Sequence, residues 1–114
     1  MHIIIDRDAV CAADDMSHHR EEFTVPDGIT IASLFEYLEF KYIPVIAGNN
    51  VVWALHHHDI EVGTYFTQNR SFINGSIPLS SIINNSETDT EFYLRYYSSP
   101  DRYRKHFINI AKLD

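Results

Sequence analysis

The stretch TIASLFEYLEFKY, residues 30–42, constrains the fold more than any other part of the chain. Ile31, Leu34, Phe35, Leu38 and Tyr42 recur at helical spacing, while Glu36 and Glu39 face away. Thr30 is a natural N-cap, because its hydroxyl can accept from an unpaired first-turn amide. Pro44 forbids continuation, so the pattern predicts a helix over 31–41. A helix with one apolar stripe must bury that stripe against something, and the segments around it are rich in β-forming residues.

HIIID (His2–Asp6) is a short β-rich run, and DRDAVCAADD continues it through a turn into a second extended piece. HREEFTVPDG sets Phe23 and Val25 on one strand face and Glu22 and Thr24 on the other, ending at Pro26-Asp27-Gly28. After the helix, Gly48-Asn49-Asn50 supplies a turn, and Val51–His57 and Glu61–Thr67 form a hairpin joined near His58-Asp59. NRSFINGS adds a short strand with Asn74-Gly75 as its turn, PLSSII one helical turn, and NNSETDTE a polar loop. EFYLRYY alternates Phe92, Leu94 and Tyr96 against Tyr93, Arg95 and Tyr97. Ser99 before Pro100 opens a last helix with an apolar stripe of Tyr103, Phe107, Ile110 and Ala111 and a basic surface of Arg102, Arg104, Lys105 and Lys112.

The expected fold is therefore α+β: a mixed or antiparallel sheet, one crossing helix and a C-terminal helix, in a single domain over 1–114. Strand–strand–helix–strand resembles the opening of the ubiquitin-like β-grasp arrangement, and TVPDGITIASLFEYL resembles the strand-to-helix passage of its sulfur-carrier members. Those carriers act through a Gly-Gly tail; this sequence ends NIAKLD, which argues against carrier function.

The 114 residues, 45% of them apolar, suffice for one packed core. Cys11 is the single cysteine, which excludes an internal disulfide and a cysteine-based zinc site. Neither a signal peptide nor a membrane span is expected, which points to a cytoplasmic protein with no membrane partner. The net charge of −7 is uneven: residues 1–50 hold nine acids against three bases, and residues 99–114 two against four. An acidic body repels phosphates, so direct nucleic-acid binding is not expected, and the basic last helix is read as serving the acidic body of the same chain. A basic protein partner would be steered toward this surface.

WALHHHDIE (Trp53–Glu61) holds three consecutive histidines. On a strand, His56 and His58 point one way and His57 the other, so His56 and His58 are the candidate ligands of a metal or small-molecule site. His18, His19, Asp59 and Glu61 are the available third ligands, but no complete set such as H-E-x-x-H is present. The abrupt onset of polarity after VVWAL reads instead as a strand leaving the core. Asp14-Asp15 and Glu21-Glu22 are paired carboxylates that suit an exposed edge better than acid–base chemistry. Ser80-Ser81 lacks a nucleophile elbow, and the four glycines form no phosphate loop, so neither catalysis nor a cofactor is expected.

The function that needs no missing motif is that of a binding protein covering a basic site on another protein. Asp6, Asp8, Asp14, Asp15, Glu21 and Glu22 imitate phosphate charge, and Tyr93 supplies an aromatic anchor. In its acid-rich DRDAVCAADD and HREEF, its aromatic EFYLRYY and its compact size, the chain resembles bacterial immunity proteins of the contact-dependent growth-inhibition type. That resemblance implies neutralisation of a cognate toxin domain, often a nuclease, by occlusion. The alternative is a β-grasp-like metal- or small-molecule-binding domain using His56 and His58. A homodimer through the aromatic strands, or an accessory role on a mobile element, stays open at this level.

Overall fold

The computed structural model describes residues 1–11, 18–44, 50–83 and 90–112, with side chains up to 106. The strands are β1 (His2–Arg7), β2 (Glu21–Thr24), β3 (Val52–His57), β4 (Ile60–Phe66), β5 (Ser71–Ile73) and β6 (Glu91–Tyr97), and the helices α1 (Ile31–Lys41) and α2 (Pro100–Lys112). All six strands share one mixed sheet in the order β2-β1-β6-β3-β4-β5. The first strand lies parallel to the last, pairing Asp6 with Tyr93 and Arg7 with Leu94, while the other pairs are antiparallel. This α+β architecture, with α1 packed on one sheet face, agrees with the expected fold class, and its opening elements follow the expected order strand, strand, helix, strand.

α1 spans the expected residues. The Thr30 hydroxyl accepts from Ser33 N–H at 3.2 Å, and the Ile31 and Ala32 amides donate to carbonyls of Ile77 and Gly75. Those contacts satisfy amides that a helix start leaves unpaired. Ile31, Leu34, Phe35 and Leu38 are buried against Ile3, Ile5, Trp53, Leu55, Phe92 and Leu94 of the sheet.

β3 lies between β6 and β4 and is apolar on both faces because both are covered. Trp53 and Leu55 meet the α1 side; Val52 and Ala54 pack with Tyr103 of α2, Phe66 and Tyr97 on the other. The β3–β4 hairpin turns through two residues, His58 (φ 51°) and Asp59 (φ 64°). Such a turn requires positive φ at both central positions, which aspartate and histidine tolerate better than most residues. β5 and a single 3₁₀ turn over Leu79–Ser81 also fall where expected.

Some expectations differ from the structure or lie beyond it. The extended piece after β1 is not a strand over 8–11, and its continuation at 12–17 lies outside the described residues. So do Gly48-Asn49 of the expected turn and 84–89 of the polar loop. Among the described residues no helix is long and apolar enough to cross a membrane.

Candidate functional site

The sheet face opposite α1 is only partly covered by α2, and its open part carries the chemistry. Strand alternation puts Ile3 and Ile5 on the α1 side and Ile4 and Asp6 on this one. Parallel pairing then sets Asp6 beside Tyr93, and antiparallel pairing sets Tyr93 beside His56. Together with Arg20, His58, Asp59, Glu91 and Phe92 these residues line a shallow cleft of about 250 Å³. Residues of both sequence-level readings, the acidic surface and the histidine site, thus meet in one place.

The electrostatic balance of the cleft is acidic. Arg20 is tied to Glu91 by an ion pair across the β1–β6 end of the sheet. Asp6 accepts from the Arg7 backbone amide at 2.8 Å, and neither Asp6 nor Asp59 has an ion-pair partner among the described residues. Asp8 sits behind the cleft with both oxygens engaged: Tyr93 O–H donates to Oδ1 at 2.5 Å and Tyr96 N–H to Oδ2 at 2.9 Å. Burial and then that bond push the Tyr93 phenol up to about 12, so it stays a donor and its ring is held in place.

The remaining predicted acids divide. Glu22 pairs with Ile4 and so shares the open face, where its carboxylate lies 3.7 Å from His2. Glu21 pairs with Ile5 and therefore belongs to the α1 side. Asp14 and Asp15 lie outside the described residues. Asp8, half-buried, bridges β1 to β6 through one hydrogen bond to each of its carboxylate oxygens.

The histidine pair also needs correction. Strand β3 ends at His57, so His58 is a turn residue and not the same-face partner of His56 that simple alternation implies. Nor does the strand leave the core at His56. Its side chain is 12% exposed, and His57 is buried with its ring 5.0 Å from that of Phe92. Both ring nitrogens of His56 are buried, with no hydrogen-bond partner among the described residues, so neither is presented to a ligand entering the cleft. No group of three or more His, Cys, Asp or Glu among the described residues is placed to hold a metal ion.

What His56 faces instead is Glu61, brought opposite it by an irregularity in the β3–β4 register after Leu55. Glu61 Oε1 lies 3.9 Å from His56 Nε2, while Oε2 accepts from Tyr103 O–H at 2.6 Å and Thr64 O–H at 2.8 Å. One carboxylate therefore joins β4 to α2 under the same face. Burial lowers the His56 pKa below the ordinary 6.5; Glu61 opposes that and Arg95 adds to it. The folded state then binds fewer protons at this ring than the unfolded chain does. Stability contributed by neutral His56 is present above the ordinary pKa and is lost as pH falls through 6.5 toward the lower folded value. The urea midpoint is accordingly expected to fall between about pH 7.5 and 5.5. His56→Leu should flatten that slope, and His58→Asn, in the exposed turn, should leave it.

Sequence reasoning missed Arg20 and Glu91 as cleft residues and named Asp59 only as an available third ligand beside the histidines. Glu91 was within reach of it, since it alternates with Tyr93 and Arg95 on one strand face. Arg20 was not, because its contact to Glu91 spans 71 positions. No family model, curated protein or solved structure matches this chain.

Proposed function

We propose that this chain is a non-catalytic binding protein that covers a cationic surface of another protein, in the manner of an immunity protein occluding a toxin domain such as a nuclease. The observation that carries the reading is the pair of cleft carboxylates, Asp6 and Asp59, which have no ion-pair partner among the described residues and share the cleft with the Tyr93 ring that Asp8 holds. Rigid aromatic anchors beside desolvated charge are what tight interfaces use, because little ordering entropy is lost on contact. The cleft's size favours a side chain of a partner over an enclosed ligand: 250 Å³ falls below the roughly 300–1,000 Å³ of small-molecule pockets. An arginine or lysine of the partner fits such a notch, with Asp6 and Asp59 as its counter-charges.

The test requires a candidate partner, and if the neighbouring reading frame encodes a secreted protein, its C-terminal domain is the one to use. Asp6→Lys with Glu22→Lys, both on the open face, is expected to slow its association about tenfold at low salt and to flatten the salt dependence. Glu21→Lys, on the α1 side, is the control and should change the rate little. A partner domain that is acidic, or an association rate indifferent to salt, would remove this reading. Zinc titration of wild type against His56→Ala, His58→Ala distinguishes the histidine-site alternative, which requires stoichiometric metal lost in the double variant.

A further inference from the structure

A second cleft, of about 500 Å³, opens where β6 runs into α2, and its character is opposite to the first. It is lined by Tyr96, Tyr97, Ser98, Arg102, Lys105 and His106. Arg102, Lys105 and His106 stand at i, i+3 and i+4, which puts all three on one face of α2.

The sequence reading assigns these basic residues to the acidic body, but among the described residues Arg102 and Lys105 are not seen to meet it. The ion pair of α2 joins Arg104 to Asp101 at 3.5 Å within the helix itself, and Arg102 and Lys105 reach no carboxylate among the described residues. Their placement is locally unfavourable. Arg102 is the third residue of α2, at the positive end of the helix dipole, and like charges three and four residues apart repel. In a chain of net charge −7, Arg102 and Lys105 standing together with no ion pair among the described residues is a local conflict of the kind found at binding sites.

The wall facing them is aromatic and held from behind. Tyr97 packs on the buried Tyr103 with ring centroids 5.2 Å apart, whereas the Tyr96 ring lies on the other sheet face against Trp53 and adds only its backbone to this cleft. Tyr97 also lies 5.8 Å from the His106 ring. A flat ring so fixed offers a stacking surface at little entropic loss, while a guanidinium and an ammonium grip phosphate oxygens. The volume lies within the range of small-ligand sites.

We infer that the β6–α2 cleft binds a mononucleotide, its base stacked on Tyr97 and its phosphate held by Arg102 and Lys105. A polynucleotide is disfavoured because the acidic remainder of the molecule repels a long phosphate backbone. The inference is independent of the proposed partner surface, which lies at the other end of β6.

The experiment is a titration of the full chain with adenosine 5′-monophosphate, followed by amide chemical shifts and calorimetry. Saturable binding is expected with a dissociation constant on the order of 0.1–1 mM, and with shifts centred on Ser98 and Lys105. Arg102→Gln with Lys105→Gln, both exposed, should weaken it at least about tenfold, whereas Arg104→Gln should not. No saturation by about 10 mM would overturn the inference, as would shifts centred on Asp6 and His58. Equal affinity for inorganic phosphate would overturn the stacking role, and tighter binding of a ten-nucleotide single strand would overturn the restriction to a mononucleotide.

Discussion

Trp53→Ala is expected to destabilise the fold by about 3–5 kcal/mol, read as a large drop in the guanidinium unfolding midpoint with little change in slope. Trp53 is fully buried on the middle strand of the mixed sheet, opposite Tyr65 of β4 and Tyr96 of β6. Removing the indole leaves a void between α1 and the sheet that neither neighbouring strand can close without breaking its ladder. For a domain whose total stability is about 5–15 kcal/mol, the loss leaves a marginal fold. Trp53→Phe should lose well under half as much. The indole Nε1–H is buried with no partner among the described residues, so the substitution also deletes a donor whose lack of a bond costs about 1–3 kcal/mol. A phenylalanine variant as unstable as the alanine one would show that indole shape, and not buried area, sets this position.

Much of the frame around Trp53 was legible because it is local. The 3.6-residue period of Ile31, Leu34, Phe35 and Leu38, the Thr30 cap and the Pro44 stop together define α1. The β3–β4 hairpin follows from two apolar runs around His58-Asp59, and α2 from Ser99-Pro100, whose serine hydroxyl does accept from Arg102 N–H. What a single sequence does not carry is the parallel registration of β1 on β6, in which residues almost ninety positions apart become neighbours. The site depends on that registration. Asp6 and Tyr93 were selected separately, as charge and as aromatic anchor, and only the parallel pair puts them side by side. The histidine triplet misled in the other direction. The strand end at His57 and the turn at His58-Asp59 fall where expected, but polarity was taken for exit from the core, whereas His56 and His57 stay largely buried in the sheet.

The second large effect is expected at Asp8. Asp8→Ala should cost about 3 kcal/mol, since it removes two hydrogen bonds to an ionised acceptor, each worth roughly 1.5–3 kcal/mol, with partial relief from solvent. The Tyr96 amide would be left without its 2.9 Å acceptor and the Tyr93 phenol without its 2.5 Å one, at the point where β1 leaves β6. Asp8→Asn keeps one carbonyl acceptor and should recover about half of the loss. In a double-mutant cycle with Tyr93→Phe the two changes should couple by about 1 kcal/mol, because the phenol bond is removed by either one. The same variant separates support from contact in the proposed function. If Asp8 acts by holding the Tyr93 ring, Asp8→Ala should raise the dissociation rate of the cationic partner while leaving the salt dependence of association in place. If Asp8 instead touches the partner as a charge, association slows and its salt dependence flattens, as for Asp6→Lys. A folded Asp8→Ala protein with unchanged dissociation would mean that Tyr93 needs no support from β1, and the rigid-anchor account of the cleft would fail with it.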